Sequence, residues 1–313
     1  MHSNKYQAYQ LNFASCIPLP QLPVSYAAAS DVTISWGKID WTPPQELDGY
    51  RYWHIDGEDV YFYWQFSGKY LLRGGQEIII DPLPEVSDEH IIGLPILGPL
   101  MAMLLDQRKY FVLHASGVKI GAEGCIFLGC KGQGKSTMAA TLYARGHKLV
   151  ADDIVAIALD NQGNFSLLPG FPQIRLWPDS VVAALDHAHP ENLPEIYPNI
   201  AKRACPTFDN FYSDSLPLKR IYILGNAEQP EIKPLSAQEA VKYLVGNSYL
   251  PMTLGNSFIH SGGVAKHFYD CTRIVNQVDV CGLNRPRSLD LLPTVAQVVE
   301  EDMTSAYFLS TKI

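Results

Sequence analysis

The sequence predicts a mixed α/β (α+β) fold, and three observations along the chain support it. Residues 1–85 are rich in Tyr, Trp, Val and Ile between short turn signals, a pattern typical of antiparallel strands. Residues 110–160 combine short apolar runs with a glycine-rich loop and a helix pattern, and strand and helix patterns alternate again after residue 219. We therefore expect a mainly antiparallel, β-rich N-terminal lobe over residues 1–85 and an α/β domain over residues 86–313.

The composition indicates a folded protein that is acidic overall. The chain has 313 residues, of which 47% are hydrophobic and 18% are charged, and this excludes intrinsic disorder. The 24 Lys and Arg against 32 Asp and Glu give a net charge of −8, so no general contact with nucleic acid is expected. Six cysteines without metal-site spacing are too sparse for a disulfide scaffold. We expect reduced thiols and a cytoplasmic protein.

Neither a signal peptide nor a membrane span is predicted. The N-terminus lacks a charged start followed by an apolar stretch. The longest uncharged apolar stretch, residues 91–105, contains two prolines and is shorter than the roughly 20 residues that a membrane span needs. We expect a buried helix over residues 99–109 instead, with Pro99 in its first turn.

The elements follow in chain order from these patterns. Turn signals at Asp56-Gly57, Ser67-Gly68 and Gly74-Gly75 separate the strands of an antiparallel meander. The second domain is predicted to contain a strand at 110–120, a turn at 121–124, a strand at 124–129, a glycine-rich loop, a helix at 135–145 capped by Gly146 and a strand at 148–159 interrupted by two aspartates. Later patterns predict a strand at 220–224, a helix at 236–245 and a strand at 277–283.

The glycine-rich loop is predicted to bind nucleotide phosphates. Residues 129–136, GCKGQGKS, fit the pattern G-x-x-x-x-G-K-[ST] between a strand and a helix. Glycines let backbone N–H groups converge on phosphate oxygens, and the helix N-terminus adds its dipole. Lys135 can reach the β- and γ-phosphates, and the Ser136 hydroxyl can bind Mg²⁺. Lys131 is either a further cation of the site or a solvated surface lysine. The predicted nucleotide-binding residues are Gly129, Lys131, Gly132, Gln133, Gly134, Lys135, Ser136 and Thr137.

Asp152 and Asp153 follow a short apolar run and lie 17 and 18 residues after Lys135. A carboxylate at a strand end beside a phosphate loop suits contact with Mg²⁺, and its neighbour can accept the proton of an attacking hydroxyl. Because side chains alternate along a strand, we expect the two carboxylates to point to opposite sides. A simple turn or helix cap is the alternative, but the apolar run resumes at once with Ile154. Which aspartate has which role is left open.

His114 is placed near the loop by the geometry of a hairpin. If residues 121–124 reverse two antiparallel strands, His114 faces about residue 131, inside the loop. A neutral imidazole there can orient a hydroxyl, and a protonated one can stabilise phosphoryl charge. The alternative is a histidine with a structural role.

Three arginines outside these segments are further candidates. Arg175 lies in a Pro-rich, loop-like stretch, where it either neutralises charge on a transferred phosphoryl group or forms an ion pair with a carboxylate. Arg285 and Arg287 either bind a substrate phosphate or carboxylate or form structural pairs. An exposed edge of the Tyr/Trp-rich lobe could also receive an extended peptide by strand addition.

Together these residues resemble the catalytic domain of HPr kinase/phosphorylase, and more closely its stand-alone relatives, the HPr-kinase-like serine kinases. The resemblance rests on HASGV at 114–118, the phosphate loop, and RGHKLVADD at 145–153. LPGFPQIRLWP at 168–178 and RPR at 285–287 are similar to motifs of the stand-alone relatives. The specific motifs cover residues 110–180, with weaker similarity from about residue 85 to 295.

The resemblance implies a phosphoenolpyruvate-carboxykinase-like P-loop fold and phosphorylation of a Ser hydroxyl, with Asp153 as the base and Asp152 as the metal partner. Three features depart from true HPr kinases. Thr137 replaces a glutamate after Ser136, the segment 169–178 replaces their second signature, and the β-rich lobe stands in place of their regulatory domain. These departures favour an acceptor other than HPr. Some stand-alone relatives phosphorylate precursor peptides of ribosomally made, lasso-type products, which is the acceptor class that the resemblance implies.

We therefore expect an ATP- and Mg-dependent kinase of a Ser or Thr hydroxyl on a peptide or small protein. The expected roles are ATP binding by the loop and Lys135, metal binding by Ser136 and Asp152, proton acceptance by Asp153, and stabilisation of the γ-phosphoryl group by His114 and Arg175. The alternatives are a nucleotide-binding regulator or assembly factor with little catalysis, and a kinase of a free small-molecule hydroxyl. The sequence leaves open the nucleotide base, reverse phosphorolysis and the oligomeric state, a homo-oligomer included.

Overall fold

The computed structural model describes residues 4–46, 49–185, 188–197, 200–254 and 263–305. The strands are β1 (Asn4–Ala8), β2 (Leu11–Ser15), β3 (Val32–Trp36), β4 (Arg51–Asp56), β5 (Asp59–Trp64), β6 (Gly68–Arg73), β7 (Glu77–Pro82), β8 (Phe111–Leu113), β9 (Ser116–Ile120), β10 (Glu123–Leu128), β11 (Lys148–Asp152), β12 (Val155–Leu159), β13 (Phe165–Leu167), β14 (Gln173–Leu176), β15 (Arg203–Pro206), β16 (Leu216–Asn226), β17 (Glu231–Pro234) and β18 (Asp279–Arg285). The helices are α1 (Glu89–Gly93), α2 (Met101–Gln107), α3 (Lys135–Ala144), α4 (Pro178–Ala184), α5 (Ala237–Gly246), α6 (Tyr249–Leu254), α7 (Gly263–Gln277) and α8 (Leu292–Thr304).

The N-terminal lobe is a seven-stranded sheet with the strand order β1-β2-β3-β7-β6-β5-β4. Strands β4 to β7 form an antiparallel meander, as the turn signals predict, whereas β3 pairs in parallel with both β2 and β7. Inward-facing aromatic residues such as Trp53, Phe62 and Tyr70 belong to its buried core. The predicted β-rich, mainly antiparallel lobe is thus confirmed.

The predicted domain boundary after residue 85 stays a prediction. One buried cluster joins side chains of the lobe, such as Phe13, to later side chains, such as Leu104. The Tyr9 hydroxyl of the lobe also donates a hydrogen bond to the carbonyl oxygen of Ile154, 3.0 Å away. The lobe therefore packs directly against the segment that contains the two aspartates.

The central sheet carries the glycine-rich loop. Its strands follow the order β11-β9-β10-β16-β13-β12-β8, with β18 paired to β16 and β17 to β18. Because β10, β16 and β18 run parallel, their carboxyl ends meet at one edge, where ligands commonly bind in α/β sheets. Helices α3 and α8 cover one face through residues such as Met138 and Val295, and α5 and α7 cover the other through Leu244 and Ile274. The mixed α/β fold is confirmed.

The apolar stretch after the lobe forms a buried helix that is shorter than predicted. The regular helix α2 begins at Met101, and a kink at Gly98, whose dihedral angles are not helical, separates it from the preceding turn. By length and composition alone, Glu89–Gln107 could cross a membrane, but 72% of its apolar window is buried inside the protein. Burial of this extent is typical of a core helix.

Two long strands of the sequence prediction are each split in the structure. The segment 110–120 breaks at His114 into β8 and β9, and the segment 148–159 breaks at Asp153 into β11 and β12. β8 pairs with β12 and β9 pairs with β11, so the two breaks lie side by side. The sheet itself therefore brings His114 and Asp153 together.

Candidate active site

The glycine-rich loop joins the parallel strand β10 to α3, in the order that the pattern predicts. Gly129, Gly132 and Gly134 all have positive φ, at 155°, 84° and 81°. A Cβ atom at Gly134 would also lie 2.7 Å from Nη2 of Arg285, so a larger residue there would displace the end of that side chain in addition to straining the backbone. The loop thus lies at the carboxyl edge of the parallel strands.

Lys135 is buried beneath the loop. Its Nζ donates hydrogen bonds to the carbonyl oxygens of Gly129, at 2.9 Å, and Cys130, at 3.4 Å, and the residue is only 7% exposed. Burial lowers the pKa of Lys135, and the carboxylates of Asp152 and Asp153 oppose this shift. The ammonium group therefore lies within electrostatic range of both aspartates.

The other predicted loop residues differ in exposure. Lys131 is exposed, and Ser136 is half-buried in the first turn of α3. Thr137 is buried, and its hydroxyl donates a hydrogen bond to the Ser180 hydroxyl of α4, 3.1 Å away. Their roles in nucleotide binding stay predictions.

Asp152 ends β11 and is anchored through both carboxylate oxygens. Oδ1 accepts a hydrogen bond from the Ser116 hydroxyl at 2.6 Å, and Oδ2 accepts one from the backbone N–H of Arg175 at 2.9 Å. A carboxylate oxygen can accept two bonds, so each retains a lone pair for a cation. The serine of the HASGV segment therefore orients this carboxylate.

Asp153 has a left-handed backbone, with φ at 72°, and lies outside both strands. The prediction that the two carboxylates point to opposite sides assumes extended backbone, which Asp153 lacks, so it stays a prediction. Both carboxylates contact Arg175: its guanidinium Nη1 lies 2.7 Å from Oδ2 of Asp153, and its backbone N–H donates to Asp152. A non-glycine residue in the left-handed region is strained, and the ion pair with Arg175 helps to stabilise Asp153 in this conformation.

Arg175 lies in strand β14 rather than in a loop. Prolines lie outside this short strand, where they limit its ends without removing its pairing with β15. The residue is 8% exposed, and Nη2 also donates to the carbonyl oxygen of Leu97 at 3.3 Å. Of the two alternatives for Arg175, the ion pair is observed, and its partner is the candidate base, Asp153.

His114 completes this group of side chains. Its Nδ1 lies 3.4 Å from Oδ1 of Asp153. Burial lowers the pKa of His114, and Asp153 opposes the shift. For Asp153, burial favours the neutral acid, but the charges of Arg175 and His114 outweigh it and hold the pKa below its usual value. At neutral pH the site therefore holds a neutral imidazole beside an ionised carboxylate.

The lowered pKa of His114 predicts that the protein loses stability in mild acid. Between the folded pKa and about 6.5, the unfolded chain binds more protons, so stability rises with pH through this window and falls as the pH is lowered. Urea unfolding at pH values of about 5.5 and 7.5 measures the effect. His114→Gln should lose less stability than the wild type over this interval, with a remainder from His267, whose pKa burial also lowers. Equal losses would contradict the prediction.

Sequence reasoning missed several residues around this group. The ring of Tyr249 lies 6.2 Å from that of His114, between centroids. Lys202 also helps to lower the pKa of Asp153, and burial raises the pKa of Tyr197 while Arg175 opposes the shift. These residues belong to segments without a motif, so no sequence signal marks them.

Arg145 and His147, from the segment RGHKLVADD, have a structural role. Nη2 of Arg145 lies 2.6 Å from Oε2 of Glu300, and Nε2 of His147 lies 2.9 Å from Oε1 of the same carboxylate. These contacts tie the end of α3 to α8, away from the aspartates.

Comparisons with known proteins find short similarities. No protein-family model matches the chain. HPr kinase/phosphorylase of Prosthecochloris aestuarii is 42% identical over 60 residues, 18% of each chain, and that of Bacillus licheniformis is 35% identical over 91 residues, 26% of this chain and 29% of the relative. The chain thus matches less than a third of the length of these relatives. The HPr(Ser) kinase/phosphatase structure from Coxiella burnetii aligns with 61% of this chain and 92% of its own, with a TM-score of 0.32 and 13% identity. Over the short aligned segments of the curated relatives, the chain is similar to HPr kinase/phosphorylases and is HPr-kinase-like.

Proposed function

We propose that this chain is an ATP- and Mg-dependent kinase of a Ser or Thr hydroxyl on a peptide or small protein. One observation carries the proposal: Asp152 and Phe127, two residues before Gly129, both pair with Ser116 of β9, so the aspartate pair lies one strand away from the strand that leads into the glycine-rich loop. His114 and Arg175 contact the second aspartate of that pair. The similarity to HPr kinase/phosphorylases supports a phosphotransferase.

The oxygen donors beside the loop fit Mg²⁺. This ion prefers oxygen ligands and commonly takes one or two carboxylates together with substrate phosphates. Asp152, oriented by Ser116 with lone pairs to spare, and the hydroxyl of Ser136 would be the ligands from this chain. When bound, Mg²⁺ would neutralise charge on the phosphates.

Asp153 is the base in this proposal. Its side chain is 19% exposed, whereas that of Asp152 is 5% exposed, so Asp153 is the more accessible of the two carboxylates. The lowered pKa keeps Asp153 ionised at neutral pH. The acceptor oxygen forms a bond to the γ-phosphorus, the bond from that phosphorus to the β,γ-bridging oxygen breaks, and the hydroxyl proton passes to Asp153.

The remaining side chains hold the reacting groups. Lys135 and the N–H groups of the loop would bind the triphosphate. His114 and Arg175 both contact Asp153, so they orient the base, and as nearby donors they would stabilise charge on the transferred phosphoryl group.

A peptide acceptor is the finer part of the proposal. It rests on the resemblance to the stand-alone serine kinases, whose lasso-type precursor peptides define the acceptor class. The acidic net charge of −8 speaks against nucleic acid as a partner. We also place the protein in the cytoplasm, with free thiols, among them the exposed Cys130 of the loop.

Transfer of label from γ-labelled ATP tests the proposal. With Mg²⁺ present, we expect label on Ser- or Thr-containing peptides, and transfer at least about a hundredfold slower with Asp153→Asn. Asp160→Asn is the matched control, because Asp160 is an exposed carboxylate whose hydrogen bonds to described residues, such as Asn164, lie within its own turn. Its transfer rate should equal that of the wild type.

The other outcomes of this assay separate the alternatives. Label found only on added metabolites would indicate a kinase of a small-molecule hydroxyl. Tight ATP binding with neither transfer nor hydrolysis would indicate a regulator or assembly factor. Failure to bind ATP would overturn the proposal altogether.

A further inference from the structure

Arg285 is a buried cation in contact with the glycine-rich loop. It ends β18, at the carboxyl edge of the parallel strands, and is 8% exposed. Nη2 donates a 2.6 Å hydrogen bond to the backbone carbonyl of Gln133, and Nη1 donates one of 3.3 Å to the carbonyl of Pro286. The same Nη2 lies 2.7 Å from the position that a Cβ atom of residue 134 would occupy. The guanidinium therefore supports the loop from beneath its last turn.

Within the described part of the chain, Arg285 makes no ion pair with a carboxylate. Its Nε is buried and has no hydrogen-bond partner there. Arg220, a second buried guanidinium on the neighbouring strand β16, differs in this respect: Nη1 lies 2.9 Å from Asp279, and Nε pairs with Asp302. Both arginines are buried, but among the described residues Arg220 has two carboxylate partners and Arg285 has none.

A buried guanidinium without a counter-charge is costly, because removal from water is not repaid by an ion pair. Burial lowers the pKa of Arg285, and the charge of Arg287 adds to that effect. Arg287 itself is exposed and bonds through Nε to Asn226, 3.0 Å away. Among the described residues the buried charge of Arg285 is therefore uncompensated, and an anion bound at the loop would relieve it.

We infer that Arg285 is a positioning residue whose charge is balanced by the polyphosphate of the nucleotide. In this role it fixes the carbonyl of Gln133, which keeps the backbone N–H groups of the loop directed toward the phosphates. The inference rests on the proposed function, because it requires that the loop binds a polyphosphate. Arg285 thereby links binding of the anion to the conformation of the loop, and it does not touch the reacting atoms.

Two substitutions test the inference on the full-length protein. Arg285→Met removes the charge and the hydrogen bonds at similar size, and Arg285→Lys keeps the charge without the planar fork. Calorimetry with Mg·ATP, and with pyrophosphate, should show a dissociation constant at least about tenfold higher for the methionine variant and an intermediate one for the lysine variant. The melting temperature of the free methionine variant should not fall, because an uncompensated buried charge is removed.

Arg220→Met and Arg287→Met are the controls. Arg220→Met should lower the melting temperature, because it strands two carboxylates, and should leave the dissociation constant for ATP unchanged. Arg287→Met removes an exposed charge and should weaken ATP binding less than Arg285→Met. If Arg220→Met prevents folding, Asp279→Asn breaks one of the same pairs more mildly.

Two results would overturn the inference. Wild-type binding of ATP and pyrophosphate by Arg285→Met would leave the proposed function standing and remove only the role of Arg285. A lower melting temperature of Arg285→Met with unchanged affinity would indicate a structural arginine. If the wild type bound neither ligand, the proposed function and the inference would both fail.

Discussion

Replacement of Asp153 by asparagine should lower the rate of phosphoryl transfer by about 10²- to 10⁴-fold, the range associated with a general base. Asparagine keeps the size of the side chain and tolerates the left-handed backbone at φ 72°, but it cannot take a proton at neutral pH. Initial rates of label transfer at saturating ATP measure the effect. The dissociation constant for ATP should change little, because Lys135 and the loop hold the triphosphate.

This substitution also has a cost in stability that must be separated from catalysis. Arg175 is 8% exposed and would lose its carboxylate partner, which should destabilise the protein by about 3 kcal/mol. The double variant Asp153→Asn, Arg175→Met removes both charges and should recover part of this stability while transfer stays lost. Transfer by Asp153→Asn within tenfold of the wild type would disprove the role of Asp153 as base. A larger loss of transfer in Asp152→Asn would instead indicate that Asp152 is the base and Asp153 the metal ligand.

The sequence predicts contiguous features well. The loop at 129–136 lies between a strand and a helix because its glycines, its lysine and the flanking apolar runs are neighbours in the chain. The helix predicted at 236–245 is observed at Ala237–Gly246, where Ser236 and Glu239 form a reciprocal capping box. Such features depend on local dihedral preferences, which the residues carry themselves.

Pairing between distant segments was harder to predict. The hairpin turn is shorter than the four residues, 121–124, that the sequence predicts. Ile120 pairs with Glu123, so the strands reverse over Gly121 and Ala122. The break at His114 leaves no mark in the apolar pattern, because β8 and β9 are both buried. The break occurs at His114 because β8 pairs with β12 while β9 pairs with β11, and these pairings depend on the whole fold.

The contacts of Arg175 show the same limit. Its Pro-rich surroundings predict a loop, yet pairing of β14 with β15 places it in a strand. Its contact with Asp153, 22 residues earlier, depends on the left-handed turn that ends β11. Tyr249 reaches His114 from a helix more than a hundred residues later. No periodicity or spacing encodes such contacts, so only the folded structure reveals them.

Replacement of Lys135 by methionine should reduce phosphoryl transfer by about 10³-fold, because it removes the buried cation of the described loop residues. Methionine retains the length and apolar stem of lysine, so the loss reports on charge and hydrogen bonding rather than on packing. Binding of Mg·ATP and initial rates of transfer together measure it. Both should fall, since the ammonium group is proposed to contact the phosphates before and during transfer.

Lys131→Met provides the matched control, because the two lysines share one loop but differ in burial. Of the two interpretations of Lys131, its exposure favours the solvated surface lysine, whose charge is screened, so its removal should change the rate by no more than about threefold. If both variants lost activity equally, the loop would act through its net charge, and no directed contact by Lys135 would be needed. If Lys135→Met transferred phosphate at the wild-type rate, the loop could not hold the reacting nucleotide. We expect a large difference in activity between the two variants because only Lys135 is buried, with its ammonium group bonded to backbone carbonyls of the loop.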